Sequence, residues 1–172
     1  MVIVLSGPEP QRTILFDLLL PQARAAGRKV LFVCGLTEAG CGTDDRTDQV
    51  TCVPHMPTGV LFETLLSAGV ILCRPGYSTL MDLAAIGRTA ILIPTPGQTE
   101  QEYLARRVSE HYGFVCCGQD DFSLGKALRA YRDKSPKRLL PFPSGETGLL
   151  AGAIRQLRKE DKHHGHKAQE KA

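Results

Sequence analysis

Ala68-Gly69-Val70-Ile71-Leu72-Cys73-Arg74-Pro75-Gly76-Tyr77-Ser78-Thr79-Leu80-Met81-Asp82-Leu83-Ala84 is the stretch whose reading decides the fold. Val70 to Cys73 is a short, continuous apolar run, the pattern of a parallel strand covered on both faces. Pro75-Gly76 breaks the strand and turns the chain. Ser78 and Thr79 are the expected caps of a helix from Tyr77 to Ile86, and Leu80, Leu83, Ala84 and Gly87 give it an apolar face. A helix that starts just past the carboxyl end of a parallel strand suits an anion. Its first N–H groups are free and its dipole is positive there.

The same alternation extends outward in both directions. Val2 to Leu5, Lys29 to Val33 and Val50 to Val53 read as earlier strands; Thr89 to Ile93 and Gly113 to Cys117 read as later ones. Helices are expected over Gln11 to Ala26, with Ile14, Leu15, Leu18 and Leu19 on one face and Pro10 in the first turn. Further helices are expected over Val60 to Ser67, Gln98 to His111, Asp120 to Asp133 and Glu146 to about Lys159. Gly35 to Gln49 is polar and rich in Gly and Asp, hence a loop. Lys134 to Gly145 is a crossing segment, and the chain from His163 onward a polar tail. Strands alternating with helices predict an α/β fold: a Rossmann-like, doubly wound parallel sheet of about six strands with helices on both faces. One domain is expected over residues 1–160, with a disordered tail over 161–172.

Hydrophobic residues make up 42% of the 172-residue chain, enough for a core, and no apolar run reaches membrane-spanning length. The first five residues are too short for a signal peptide, so a cytoplasmic location is the default. The net charge of +3 misleads. From Arg155 onward six Lys/Arg face three Asp/Glu, so the whole excess lies there and the body is neutral. Charge thus argues against a nucleic-acid partner. The six cysteines, Cys34, Cys41, Cys52, Cys73, Cys116 and Cys117, contain no Cys-x-x-Cys pair, and most sit in or beside strand-like runs. They read as reduced, packed residues, and no metal is expected.

Three loops should meet at the carboxyl edge of the sheet: Ser6 to Arg12, Arg74 to Thr79, and Pro94 to Glu102. At Gly76 to Thr79 the amides and two hydroxyls suit phosphate oxygens, although a plain Gly turn with a Ser/Thr cap would look the same. Asp82 either closes a capping box with Thr79 or accepts from ribose hydroxyls. Glu102 likewise closes a box with Thr99, or joins Gln98 to Gln101 in a polar cluster suited to sugar hydroxyls. Glu100 and Glu102 do not share a helix face, which argues against a paired-carboxylate hydrolase. His55 has no visible catalytic partner, while the backbone of Val53 to Met56 could read a base edge. His163, His164 and His166 belong to the tail.

Cys73 to Leu83, followed by Ile93-Pro94-Thr95-Pro96-Gly97-Gln98-Thr99-Glu100-Gln101-Glu102-Tyr103-Leu104-Ala105, resembles the C-terminal, donor-binding domain of GT-B glycosyltransferases, in particular the MurG-like UDP-N-acetylglucosamine transferase family. The resemblance covers about Val2 to Ala130. It implies that Gly76, Tyr77, Ser78 and Thr79 face a diphosphate, with Ser6 and Gly7 approaching the phosphates from the first loop. Asp82 stands where the family has a ribose-binding Glu. Gln101 and Glu102 stand where it has two glutamines near the donor sugar. Val53, Pro54 and His55 would lie near the uracil. The first loop departs from the family's glycine-rich form, since Pro8 and Pro10 remove two amides; Gln11 and Arg12 are candidates to compensate by side chain.

The resemblance further implies an inverting, metal-independent hexosyltransferase that binds a UDP-sugar, UDP-N-acetylglucosamine by analogy. The acceptor would be held by an N-terminal half absent from this chain or by a separate acceptor-binding subunit, with peripheral membrane association through that half. The chain then reads as a fragment of a longer enzyme, inactive alone, whose general base lies elsewhere. Two competitors are a non-catalytic nucleotide-sugar-binding or scaffold module partnering a membrane subunit, and a nucleotide-sugar hydrolase or epimerase of the same architecture. The latter needs an acid/base set that this sequence does not display.

Overall fold

The computed structural model describes residues 1–36 and 49–134. The expected helix over Glu146 to Lys159, the tail, most of the Gly35–Gln49 and Lys134–Gly145 segments, and Cys41 lie outside the described residues.

The described residues hold six strands and five helices. The strands form one parallel sheet: β1 (Val2–Val4), β2 (Val30–Val33), β3 (Val50–Val53), β4 (Ile71–Cys73), β5 (Ile91–Leu92) and β6 (Val115–Cys116). The helices connect or follow them: α1 (Gln11–Arg24), α2 (Thr58–Ser67), α3 (Tyr77–Ala85), α4 (Thr99–His111) and α5 (Leu124–Asp133). The spatial order is β3-β2-β1-β4-β5-β6, all pairs parallel. This is the doubly wound arrangement, and the winding reverses between β1 and β4. In register, Val4 lies opposite both Val33 and Cys73, so the strands end level at their carboxyl edge.

Alternation along each strand divides the core in two. Ile3, Phe32, Leu72 and Ile91 point toward Leu15, Leu19 and Ala23 of α1 and Leu124 and Ala127 of α5. Val2, Ile71, Cys73 and Leu92 point toward Leu65 of α2, Leu80 and Leu83 of α3, and Ala105 and Val108 of α4. Both faces being covered explains why the strands read as unbroken apolar runs. Phe16 packs edge-on against Phe32 at 5.3 Å between ring centres. Gln22 of α1 ties down the start of α5: its Oε1 accepts from Leu124 N at 2.7 Å and its Nε2 donates to Phe122 O at 3.3 Å.

Several expectations shift locally. Ile14 is 44% exposed, because the α1 face in contact with the sheet runs through Leu15, Leu19 and Ala23. Pro10 is the N-cap of α1 rather than part of its first turn. Helix α5 starts at Leu124, capped by Ser123, which accepts from Lys126 N, and not at Asp120. Cys34, Cys52 and Cys73 are buried, as packed reduced cysteines should be, whereas Cys116 is exposed. Burial alone pushes the Cys73 thiol up to about 12.

Candidate functional site

The loops after β1, β4 and β5 leave adjacent strands at the same edge, beside the point where the winding reverses. A ligand crevice forms there in open α/β sheets, because the flanking loops diverge to opposite faces.

The turn after β4 is short and bare. Gly76 is the N-cap of α3 and provides no side chain to cap it. Ser78 and Thr79 therefore do not cap the helix, contrary to expectation; they sit inside its first turn. The intrahelical ladder starts with Leu80 N donating to Gly76 O at 3.0 Å. Among the described residues nothing accepts from the amides of Tyr77, Ser78 or Thr79, and the two hydroxyls make no hydrogen bond. Gly76 has an ordinary φ of −69°, and a Cβ there would meet only Thr79 Oγ1, at 3.8 Å. Backbone geometry thus does not require glycine at this position.

Asp82 lies one turn further along α3. It does not form the capping box with Thr79 that was one of its two readings, since no side chain caps this helix. Its side chain is exposed, yet surrounding protein withdraws enough solvent from the carboxyl to raise its pKa above the usual carboxylate value. No cation pairs with it among the described residues. Among the described residues it is an acceptor without a protein donor.

The loop after β5 is stapled from the helix that follows it. Gln101 Oε1 accepts from Thr95 N at 2.9 Å, and Glu102 Oε1 accepts from Gly97 N at 3.0 Å. Gln101 Nε2 donates to Gln98 Oε1 at 2.6 Å. The N-cap is Gln98, so the expected Thr99–Glu102 box is replaced by a contact one residue further back. The second carboxylate oxygen of Glu102 is left open at an exposed position.

The loop after β1 is held by its own charges. Arg12 donates from Nε to Glu9 Oε1 at 2.9 Å and from Nη1 to Gly35 O at 2.8 Å. Glu9 Oε2 accepts from both Thr13 N and Thr13 Oγ1, at 3.1 and 2.8 Å. These hydrogen bonds, from Thr13 and then Arg12, lower the Glu9 pKa. Arg12 therefore fastens the ends of β1 and β2 together, and Gln11 Oε1 is buried without a hydrogen-bond partner among the described residues. Ser6 is half-buried and Gly7 exposed, with φ 102° at Gly7.

Val53, Pro54 and His55 stand at the end of β3, three strands from β4, roughly 14 Å away at ~4.8 Å per strand. Val53 O accepts from Cys34 N and Pro54 O from Leu36 N, at 2.9 and 2.7 Å. Among the described residues, the backbone left unengaged there is that of His55 and Met56.

One residue escaped the sequence reading. Arg74, directly after β4, is 1% exposed. Its Nη1 donates to Ile93 O and Pro94 O, at 3.0 and 2.9 Å. Its Nη2 donates to Gln11 O at 3.1 Å and Gln119 Oε1 at 2.7 Å. One side chain thus binds the start of α1, the loop after β5 and the loop after β6. Its Nε has no partner, and burial lowers its pKa to about 10. The available signal was a charge placed between an all-apolar strand and a Pro-Gly turn.

Residues 29–143 match the model of the glycosyltransferase family 28 C-terminal domain. The chain belongs to that family. The family 28 match covers β2 through α5 and includes the turn after β4 and the stapled loop after β5. Among curated relatives, the UDP-N-acetylglucosamine--N-acetylmuramyl-(pentapeptide) pyrophosphoryl-undecaprenol N-acetylglucosamine transferase of Acidothermus cellulolyticus is 28% identical over 149 residues, 83% of this chain and 38% of the relative. The enzyme of the same name from Rhodopseudomonas palustris is 38% identical over 61 residues, 34% of this chain and 16% of the relative. The chain therefore spans well under half the length of these relatives. The crystal structure of Acinetobacter baumannii MurG superposes with a TM-score of 0.57 at 17% identity, covering 77% of this chain and 40% of that one. The glycotransferase of kitacinnamycin gives 0.59 at 13% identity, covering 92% and 38%. At these identities the likeness is one of fold alone: the domain has the Rossmann-like fold of these glycosyltransferase structures. No helix among the described residues is long and apolar enough to cross a membrane.

Proposed function

We propose that this domain binds the nucleotide-sugar donor of a hexosyltransferase, a UDP-sugar with UDP-N-acetylglucosamine as first candidate. The observation that carries the reading is the bare helix start at the carboxyl edge of the sheet: three amides and two hydroxyls, without protein partners among the described residues, beside the winding reversal. The family assignment and the donor in the relatives' names support it. Gly76, Tyr77, Ser78 and Thr79 take the diphosphate, joined by Ser6 and Gly7 from the first loop. Asp82 accepts from the ribose hydroxyls. Gln101 and Glu102 approach the sugar, where the second oxygen of Glu102 is available. Val53, Pro54 and His55 form the uracil end.

The chemistry asked of the domain is electrostatic. As the bond to the sugar breaks, negative charge grows on the departing UDP. Preorganised amides at a helix start stabilise that charge without having to reorganise. The protein's own donors meet the diphosphate's charge, and no metal or cofactor enters the proposal. The acceptor and the general base belong to a second lobe or a separate subunit, so the domain alone binds but does not transfer.

Calorimetry with UDP on the wild type and Gly76→Asp tests the reading. Asp is a favourable N-cap, so the variant folds. Its carboxylate occupies the free amides and repels phosphate. Heat of binding in the wild type and none in the variant is the expected result. Equal, undetectable heats in both would overturn the proposal.

A further inference from the structure

The Arg74 guanidinium carries a full charge in the interior, and every acceptor it reaches is neutral: three backbone carbonyls and one side-chain amide. Among the described residues no carboxylate pairs with it. That is an expensive arrangement. A buried cation normally acquires a counter-ion, because desolvation costs more than neutral acceptors return. A cheap remedy lies within contact: a carboxylate in place of the Gln119 amide would have nearly the same shape, accept the same hydrogen bond, and cancel the charge. Position 119 carries the amide instead.

Where the charge sits gives this meaning. Its partners are the first residue of α1, the end of β5 with its following loop, and the loop after β6, all at the carboxyl edge. Arg74 is two residues before the N-cap of α3. The cation therefore lies behind the crevice, withdrawn from solvent that would screen it.

Building on the donor-binding reading above, we propose that Arg74 is the buried electrostatic anchor of the diphosphate site. Gln119 keeps it in place while leaving its charge uncompensated. Arg74 touches no ligand in this proposal. It ties the start of α1 to the loops after β5 and β6 and adds a fixed positive potential beneath the amides of Tyr77 to Thr79. The phosphates then act as the counter-ion that the protein withholds.

The test separates charge from architecture. UDP and uridine are titrated into the whole chain and followed by NMR, for the wild type, Gln119→Glu and Arg74→Gln, with thermal melts as the folding control. Gln119→Glu keeps the contact and neutralises the charge; Arg74→Gln removes the charge and reaches the same endpoint by another route. In each folded variant UDP affinity is expected to fall about tenfold or more while uridine affinity stays within twofold of the wild type. Equal loss for both ligands would reduce Arg74 to a structural clamp and overturn the proposal. So would an unchanged UDP affinity in a folded variant. A wild type that binds no UDP would instead overturn the donor-site reading on which the proposal rests.

Discussion

Glu102 holds Gly97: the carboxylate of the fourth residue of α4 accepts the amide of a glycine at φ 79°, at 3.0 Å. With Gln101 on Thr95 N, this pins the loop between β5 and α4 from one side. The loop is stiff because of side chains on the helix after it, and not only because of its prolines. Glu102→Ala should cost about 1 kcal/mol in urea unfolding, since an exposed amide can turn to water. Glu102→Gln keeps an acceptor and should stay within about 0.5 kcal/mol of wild type. A larger loss for Gln than for Ala would show that the hydrogen bond is not what holds the loop.

Gly76 and Gly35 should respond oppositely to alanine. At Gly76 the backbone is ordinary and the space open, so Gly76→Ala should leave stability within about 0.5 kcal/mol of wild type. It should still weaken UDP, because a methyl group stands before the amides. At Gly35, φ is +66° and a Cβ would lie 2.6 Å from Leu5 O, which is backbone and cannot step aside. Gly35→Ala should cost about 2 kcal/mol or more. Paired chemical denaturation curves decide this, and equal midpoints for the two variants would refute it.

Asp82 has a raised pKa, from partial desolvation. The folded protein therefore holds this proton more tightly than the unfolded chain does. Stability contributed by the neutral form is lost as pH rises from the unfolded carboxyl pKa through the folded one. Asp82→Asn should remove that falling step and weaken UDP more than 2′-deoxy-UDP. Urea midpoints measured from acid to neutral pH check the first expectation. Competition between the two nucleotides checks the second, and equal losses for both would remove Asp82 from the ribose.

Glu9 behaves in the opposite sense. Hydrogen bonds from Thr13 and Arg12 lower its pKa, so it stabilises the fold above the unfolded value and that contribution fades as pH falls through the folded one. Glu9→Gln should flatten the acid limb of the stability profile by lowering stability slightly at neutral pH, the loss being small because the carboxylate is exposed, while stability at acid pH stays that of the wild type. A variant with an unaltered acid limb would show that the contact contributes nothing in solution.

Much of the architecture was legible because burial on both faces writes itself as apolar runs. Val70 to Cys73 and Thr89 to Ile93 could hardly be anything but inner strands, and turn residues separated them from amphipathic segments. Caps were read less well. Ser78, Thr79 and Thr99 are good capping types, yet Gly76 and Gln98 hold those positions. Capping depends on where the helix begins, and a shift of one or two residues reverses a side chain's role. The partners of Arg12 were not legible: Glu9 and Gly35 O take up its guanidinium, and Gly35 is distant in sequence and adjacent only because β2 lies beside β1.

The chain's own residue pattern was enough to determine six strands, their alternation with helices, and a glycine turn leading into a helix. Periodicity and turn chemistry are local properties, so one dimension suffices to express them. Only the tertiary structure decided which polar groups are already occupied. Among the described residues it left the amides of Tyr77 to Thr79 unpaired, enclosed Arg74 among carbonyls from the start of α1 and the loop after β5, and brought Gln119 within 2.7 Å of it. Hydrogen-bond partners far apart along the chain meet only when strand order places their loops together, and that order is a property of the whole sheet.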